Sequence, residues 1–397
     1  MRIVTETADL EALSAELGRG PYVAIDTEFM RDQTYWPKLC LIQAAGPGVE
    51  AIIDPLAEGI DLGPFHRLLA AKSVMKVFHA ARQDVEIFHH QGGVIPDPLF
   101  DTQIAAMVCG FGDSASYETL VRKLAKAEID KSARFTDWSR RPLSKRQLEY
   151  ALADVTYLRL VYELLSKELE KTGRAKWVEE EEATLTDPAT YQLEPAEAWR
   201  RLKPRSGNKR FLQVLAGVAA WREREAQTRD VPRNRILKDE ALLEIASHPP
   251  PDAEHLGQIR ALPNGYANSR AGKALMGAIK DALANPPPEL TLPPERRNRG
   301  PEPSPAALDL LKTLLRIRAT QYRVAPRLVA GSDDLERLAS GENDGVAALH
   351  GWRAEVFGHD AVALRDGRLA IALENGEAVV IETGAEKKPR AKRGAER

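Results

Sequence analysis

The sequence predicts a mixed α/β domain followed by all-α domains, and three observations carry that prediction. Short apolar runs alternate with helical spacings up to about residue 170. From Phe211 onward the apolar spacing becomes helical. Near the end, Asp366-Gly367 and Asn375-Gly376 separate short extended runs. Alternating strands and helices imply a sheet covered by helices. Asp-Gly and Asn-Gly between apolar runs are hairpin signals. The expected organisation is an α/β domain over 1–170, a polar linker over 171–205 and a helical domain over 206–285. A proline-rich linker over 286–304, a second helical domain over 305–382 ending in a three-stranded β meander, and a disordered basic tail over 383–397 complete it.

A chain of 397 residues exceeds what one core ordinarily supports. No apolar run approaches the roughly 18 residues of a membrane span, so no membrane segment is expected. The opening residues lack the charged-then-apolar layout of a signal peptide. The two cysteines, Cys40 and Cys109, lie in apolar contexts, as reduced core residues do. A cytoplasmic protein is expected. The formal net charge of -2 argues against holding nucleic acid through bulk charge alone and leaves local basic patches open.

In chain order, Tyr22-Val23-Ala24-Ile25, bounded by Gly20-Pro21, reads as a buried strand ending in Asp26 and Glu28. A loop with Tyr35, Trp36 and Pro37 leads to strands over Leu39–Gln43 and Glu50–Asp54, the latter stopped by Pro55. A helix around Pro64–Ala71 precedes a strand over Val74–Phe78. In the next segment Val85 and Phe88 share a helix face, which places Asp84 in the first turn, where the helix dipole favours an anion. Further on, Ser144 with Gln147 forms a capping box and Leu143 with Leu148 its hydrophobic staple. Leu148, Leu152, Val155 and Leu158 form the buried stripe of that helix, while Tyr150 and Asp154 lie one turn apart on one face. In the C-terminal half, Trp221-Arg222, Pro232-Arg233 and Asp239 resemble Arg318, Pro326-Arg327 and Asp333-Asp334, an internal repeat.

The chemistry concentrates in the acids. Residues two apart on a strand share a face, so Asp26 and Glu28 emerge side by side. Two unit charges about 4 Å apart repel by roughly 4 kcal/mol at an effective dielectric near 20. A fold accommodates such a pair by protonating one acid, by placing a cation between them, or by leaving both in solvent. Taken singly, Asp84 also reads as a capping acid and Asp154 as a surface acid beside a surface tyrosine.

The order Asp26-x-Glu28, Asp84, Tyr150-x-x-x-Asp154 resembles the DEDD exonucleases in their tyrosine-bearing subgroup. Within them it is most similar to the ribonuclease D family. Ala24–Phe29, Thr34–Gln43, Ile53–Leu56, Phe100–Ala106, Thr136-Asp137-Trp138 and Arg141-Pro142-Leu143 also match, in order, across the first 170 residues. The helical repeats resemble a degenerate pair of helicase-and-RNase-D C-terminal (HRDC) domains; the terminal meander departs from that pattern. The resemblance implies a ribonuclease H-like fold with a mixed sheet. It implies that Asp26, Glu28, Asp84 and Asp154 hold two divalent cations, Mg²⁺ or Mn²⁺, in keeping with oxygen ligands for hard ions. Asp26 is expected to bridge them and Tyr150 to orient the attacking water.

Recognition of a free 3′ end needs further groups. Tyr35 and Trp36 are candidates for stacking on a terminal base, and His79 for the terminal sugar, or else for core packing. Lys131, Arg134, Arg140 and Arg141 are candidates for the phosphates, with a solvated basic loop as the alternative. Asp101 and Thr102 read as a helix cap. Arg222, Arg224, Arg229, Arg233 and Arg235 form a candidate RNA track or an ordinary solubilising face. The expected activity is 3′-to-5′ exoribonuclease trimming of structured RNA such as tRNA precursors, by a monomer, releasing 5′-nucleoside monophosphates. The alternatives are a Werner-type DNA exonuclease and a non-catalytic RNA-binding adaptor.

Overall fold

The computed structural model describes residues 1–130, 132–204, 206–285 and 303–384. Lys131, nearly all of the expected proline-rich linker, and the basic tail beyond residue 384 lie outside the described residues. The chain divides into two compact units. One takes Met1–Leu99, Asp130–Arg159 and the stretch beginning at Thr184. The other takes Phe100–Ile129, Leu160–Ala183 and the C-terminal helices and hairpin.

The N-terminal elements are β1 (Arg2–Val4), α1 (Thr7–Leu17), β2 (Tyr22–Met30), β3 (Lys38–Gly46), β4 (Val49–Ile53), α2 (Gly63–Ala70), β5 (Met75–Phe78) and α3 (Arg82–Gly92). They are followed by β6 (Leu99–Asp101), α4 (Thr102–Val108), α5 (Tyr117–Leu120), α6 (Lys145–Thr172) and α7 (Ala175–Thr186). Six strands form one mixed sheet in the order β1-β4-β3-β2-β5-β6. The apolar residues of β2, β3 and β4, among them Val23, Ile25, Leu41 and Ile52, are fully buried at its centre.

The pairing of β2 positions the site. Antiparallel to β3, β2 stays paired from Ala24↔Ala45 to Met30↔Lys38. Parallel to β5, it pairs from Tyr22 to Ala24. Asp26 and Glu28 therefore lie on a strand that continues past the pairing with β5 to Met30, two residues beyond the end expected at Glu28. The capping box forms as expected: the Ser144 amide donates to Gln147 Oε1 at 3.0 Å and the Gln147 amide to Ser144 Oγ at 3.3 Å. This fixes the start of α6. Asp101 caps α4, its Oδ1 accepting from the Gln103 amide at 2.8 Å.

The 171–205 segment is helical over α7 and again over Pro195–Leu202, whose Trp199 is 1% exposed. There follow α8 (Lys209–Arg229), α9 (Arg233–Ile236), α10 (Asp239–Ser247), α11 (Ala253–Leu256) and α12 (Arg270–Ala284). They close on Leu215, Val218, Leu242, Ile245, Leu275 and Ile279. Gly217 lets α8 approach α12 closely, since a Cβ there would collide with that of Ala282.

In the second unit, α13 (Pro305–Tyr322), α14 (Pro326–Val329) and α15 (Ser332–Ser340) repeat the long-short-medium helix order of α8, α9 and α10. Both long helices end on a left-handed residue, Asp230 (φ 46) and Arg323 (φ 50). After α16 (Gly351–Arg353) comes α17 (His359–Arg365), so the Val362-Ala363-Leu364 run before Asp366-Gly367, one of the three extended runs expected, is helical. Asp366-Gly367 is no hairpin turn. It closes α17, with the Gly367 and Arg368 amides donating to the carbonyls of Leu364 and Ala363. Only β7 (Leu369–Glu374) and β8 (Glu377–Glu382) remain, so the expected three-stranded meander is a two-stranded hairpin. Its turn is Asn375 (φ 53) and Gly376 (φ 85), the positive-φ pair that a tight hairpin requires.

Candidate active site

The site forms where three elements meet. Asp26 and Glu28 project from one face of β2, and the stripe of α6 that packs near this face brings Asp154. One carboxylate oxygen from each of Asp26, Glu28 and Asp154 lies within 4.8 Å of the others. Tyr150, one turn before Asp154, hydrogen-bonds to it. The layer beneath is apolar: Cys40, Leu41, Ile52, Trp138 and Ala151 pack together, with Leu148, Tyr150 and Leu152 against them.

Asp84 stands alongside this group. It is buried in the first turn of α3, and Thr27 Oγ1 donates to its Oδ1 at 2.5 Å. Thr27 alternates with Asp26 and Glu28 and points to the other face of β2. Asp84 is thus outside the three-acid group, yet its charge helps to raise the Glu28 pKa.

The electrostatics follow from crowding acids in a dry place. Burial, then the charges of Asp26, Asp154 and Asp84, push the Glu28 carboxyl up to about 9. Burial raises Asp26 as well, against a backbone hydrogen bond from Thr27. Burial and the charge of Asp26 raise Asp154. Tyr150 is raised by burial and by Asp154, Glu28 and Asp26, so its phenol stays neutral. Arg134 is a cation whose charge favours ionisation of both Glu28 and Asp154. A cluster held this far from its ordinary ionisation is one that a hard cation would complete, and its all-oxygen donor set suits such an ion.

The other expected contacts divide. Tyr35 is 7% exposed and is not a stacking platform. Its hydroxyl donates to Glu223 and accepts from Arg233 Nη2 at 2.8 Å, and its ring lies under the Arg233 guanidinium. Trp36 has one ring face stacked on His90 at 3.9 Å between centroids. The amides of both residues donate to Asp230 Oδ1 at 3.0 Å. A sequence cannot show what covers an aromatic, and here the α8–α9 region covers these two. Arg141 is not a free phosphate ligand: it donates to both oxygens of Asp54 at 2.6 and 2.7 Å and to the carbonyls of Cys40, Trp138 and Arg140. Arg140 is exposed and pairs with Asp137 at 3.1 Å. His79, partly buried, directly follows β5. Of the candidate track, Arg222 is buried on Asp239 and Arg233 is paired with Glu223, whereas Arg224 and Arg229 are exposed.

Two neighbours of the site were not singled out by the sequence. Gln43 lies opposite Asp26 in the β2–β3 register and is fully buried. Phe135 is 91% exposed beside Arg134. Strand register would have exposed the first; nothing in the sequence marks the second.

Comparison with known proteins agrees with this geometry. A 3′-5′ exonuclease family model matches residues 1–170 and an HRDC domain model matches residues 211–279. The chain is 52% identical over 382 residues to ribonuclease D of Granulibacter bethesdensis, covering 96% of this chain and 97% of that one. It is 49% identical to ribonuclease D of Nitrobacter hamburgensis, covering 96% and 100%. Among solved structures it is similar to Escherichia coli RNase D, an exoribonuclease involved in structured RNA processing. That match has a TM-score of 0.77 and 30% identity, over 91% of this chain and 98% of that one. The catalytic core of RRP6 from Trypanosoma brucei matches with a TM-score of 0.55 and 25% identity, over 71% and 79%. No helix among the described residues is long and apolar enough to cross a membrane. The DEDD exonucleases use divalent metal ions, and Asp26, Glu28 and Asp154 form a carboxylate cluster that could hold one. The chain belongs to the ribonuclease D family and is a 3′-to-5′ exoribonuclease.

Proposed function

We propose that this exoribonuclease trims the 3′ ends of structured RNA, tRNA precursors foremost, with two divalent cations, Mg²⁺ or Mn²⁺, held by Asp26, Glu28, Asp84 and Asp154. The observation that carries this reading is the convergence of Asp26, Glu28 and Asp154 from β2 and α6. The cations supply Lewis acidity and offset the charge that develops on the scissile phosphate. On this reading Asp26 would be the ligand that the two cations share. Glu28 and Asp154 complete one side, and Asp84, set apart by its bond to Thr27, supports the other. Tyr150 stays a neutral phenol and acts as a hydrogen-bonding group that orients the attacking water; it does not remove its proton. Arg134, whose charge acts on Glu28 and Asp154, is the favoured group for drawing the phosphate toward the acids. The family's substrate class favours RNA over the Werner-type DNA alternative, and the intact acid set argues against a non-catalytic adaptor. A monomer acting in the cytoplasm completes the reading.

The test offers the full chain matched RNA and DNA strands ending in a free 3′ hydroxyl or a 3′ phosphate, with and without Mg²⁺. Mg²⁺-dependent release of 5′-nucleoside monophosphates from hydroxyl-ended RNA is the expected result. A preference for DNA, or undiminished activity in excess chelator, contradicts it.

A further inference from the structure

Gln43 raises a question of hydrogen bonding that the cation reading answers. It sits on β3 directly opposite Asp26, with Ile52 of β4 on its other side. Residues facing each other across antiparallel strands share a face, with Cβ atoms roughly 5 Å apart. Gln43 therefore lies on the acid-bearing face, 0% exposed. Neither its Nε2 nor its Oε1 has a hydrogen-bond partner. Leaving an amide buried and unpaired is costly, and a leucine or methionine would fill the same space at no such cost. Of its two cross-strand neighbours, Ile52 is apolar and Asp26 is the one that can accept.

We infer that Gln43 is a positioning residue for Asp26, its Nε2–H donating to the carboxylate when the site is loaded. A carboxylate bound to a hard ion needs its remaining lone pairs directed, and a neutral amide donor does this without competing for the metal. Such outer partners typically change metal affinity by about 10- to 100-fold. The inference rests on the cation reading above.

Its test is the affinity of the full chain for Mn²⁺, measured calorimetrically for wild type, Gln43→Met and Gln43→Leu, beside their melting temperatures without metal. The expected result is Mn²⁺ binding weakened at least about tenfold in whichever variant melts no lower than wild type. A role in packing alone would shift the melting temperature and leave that affinity where it was. Equal Mn²⁺ affinity in wild type and both variants overturns the inference alone. A wild type that binds no Mn²⁺ overturns the cation assignment and this inference with it.

A separate observation carries a second inference. Phe135, at 91%, is the most exposed large hydrophobic side chain among the described residues. Single exposed apolar residues need no explanation in general, so its location decides. The next residue, Thr136, accepts from Gln147 Nε2 at 3.1 Å, and Gln147 lies one turn before Tyr150 on α6. Trp138, three residues on, has its ring 6.0 Å from that of Tyr150. The loop is thus fastened over the helix face that carries the site. The Arg134 guanidinium lies 5.3 Å from the Phe135 ring centre, pairing a cation for phosphate with a flat surface for a base.

The geometry points to Phe135 as a stacking platform for a base among the last three nucleotides of the RNA, a role that the enclosed Tyr35 does not fill. It rests on the exoribonuclease reading. The test compares kcat/KM of wild type, Phe135→Ala and Phe135→Trp on an RNA and on versions with an abasic ribose at each of the three terminal positions. Alanine is expected to cost about tenfold on intact RNA, little on one abasic RNA, and tryptophan is expected to restore the difference. An alanine variant that loses equally on all substrates, or loses nothing, overturns the inference while trimming itself persists. An absence of trimming by wild type overturns the reading beneath it.

Discussion

Two buried carboxylate clusters in the same unit solve the same electrostatic problem in opposite ways. At the junction of the 31–37 loop with α8 and α9, burial pushes Glu223 upward. Hydrogen bonds from Arg233 and Tyr35 outweigh it, and the net effect lowers the pKa. Both Glu223 oxygens accept from Arg233 at 2.6 Å. At the site, burial raises Glu28 and the neighbouring acids raise it further, with only Arg134 opposing. One cluster carries its counter-charge inside the chain and is a fastening. The other leaves the counter-charge to be supplied, which is what a cation-binding site requires.

That contrast is sharpened first by removing an acid at each place. Asp26→Ala or Asp154→Ala should lower trimming by more than about a thousandfold while RNA binding, read by anisotropy, stays within a few fold. Turnover persisting in either variant breaks the comparison. Glu223→Ala should leave chemistry assignable but destabilise the fold by about 3–5 kcal/mol, the usual cost of stranding one partner of a buried pair. Denaturant melts measure this, and an unchanged midpoint would show that the fastening carries no load. Glu28→Gln should do the reverse, abolishing trimming while raising the metal-free melting temperature by a few degrees. It leaves the unfolded chain no carboxyl to ionise, the gain that a folded-state pKa near 9 sets against the wild-type fold.

The pH dependence comes next in size. With Glu28 near 9 in the folded chain and ordinarily near 4.5, the folded state keeps a proton that the unfolded state gives up between those values. Metal-free stability should therefore fall as pH rises through that window, and saturating Mg²⁺ should flatten the decline. Thermal melts from pH 5 to 9 with and without Mg²⁺ decide it, and parallel curves would contradict it. The smallest effect is that of Tyr150→Phe, which should lower kcat about tenfold through one lost hydrogen bond without altering the melt.

The parts of this picture that were legible in the sequence are those set by local spacing. Alternation put Asp26 and Glu28 on one face. The Ser144–Gln147 box fixed where α6 begins, and with it the register of Tyr150 and Asp154. Asp101 as a cap followed from the same local logic. What escaped was decided by distant packing. The three residues of β1 carry no periodic signal and exist because β4 offers them an edge. Tyr35 reads as a free aromatic in a loop until Glu223 and Arg233, almost two hundred residues on, enclose it. Arg141 reads as basic loop until Asp54 takes two of its three guanidinium nitrogens. Asp366-Gly367 carries the same dipeptide signal whether it turns a hairpin or ends a helix, and the burial of Ala361 and Ala363 chose the helix.

The most direct measurement is a calorimetric titration of Mn²⁺ into the full chain near pH 7.5, in two buffers of different ionisation enthalpy, which counts both the cations bound and the protons displaced. Two cations per chain with net proton release, both lost in Asp26→Asn, is the result expected of acids held protonated until a metal arrives. Binding that is unchanged in Asp26→Asn, or that displaces no proton from the wild type, would contradict it.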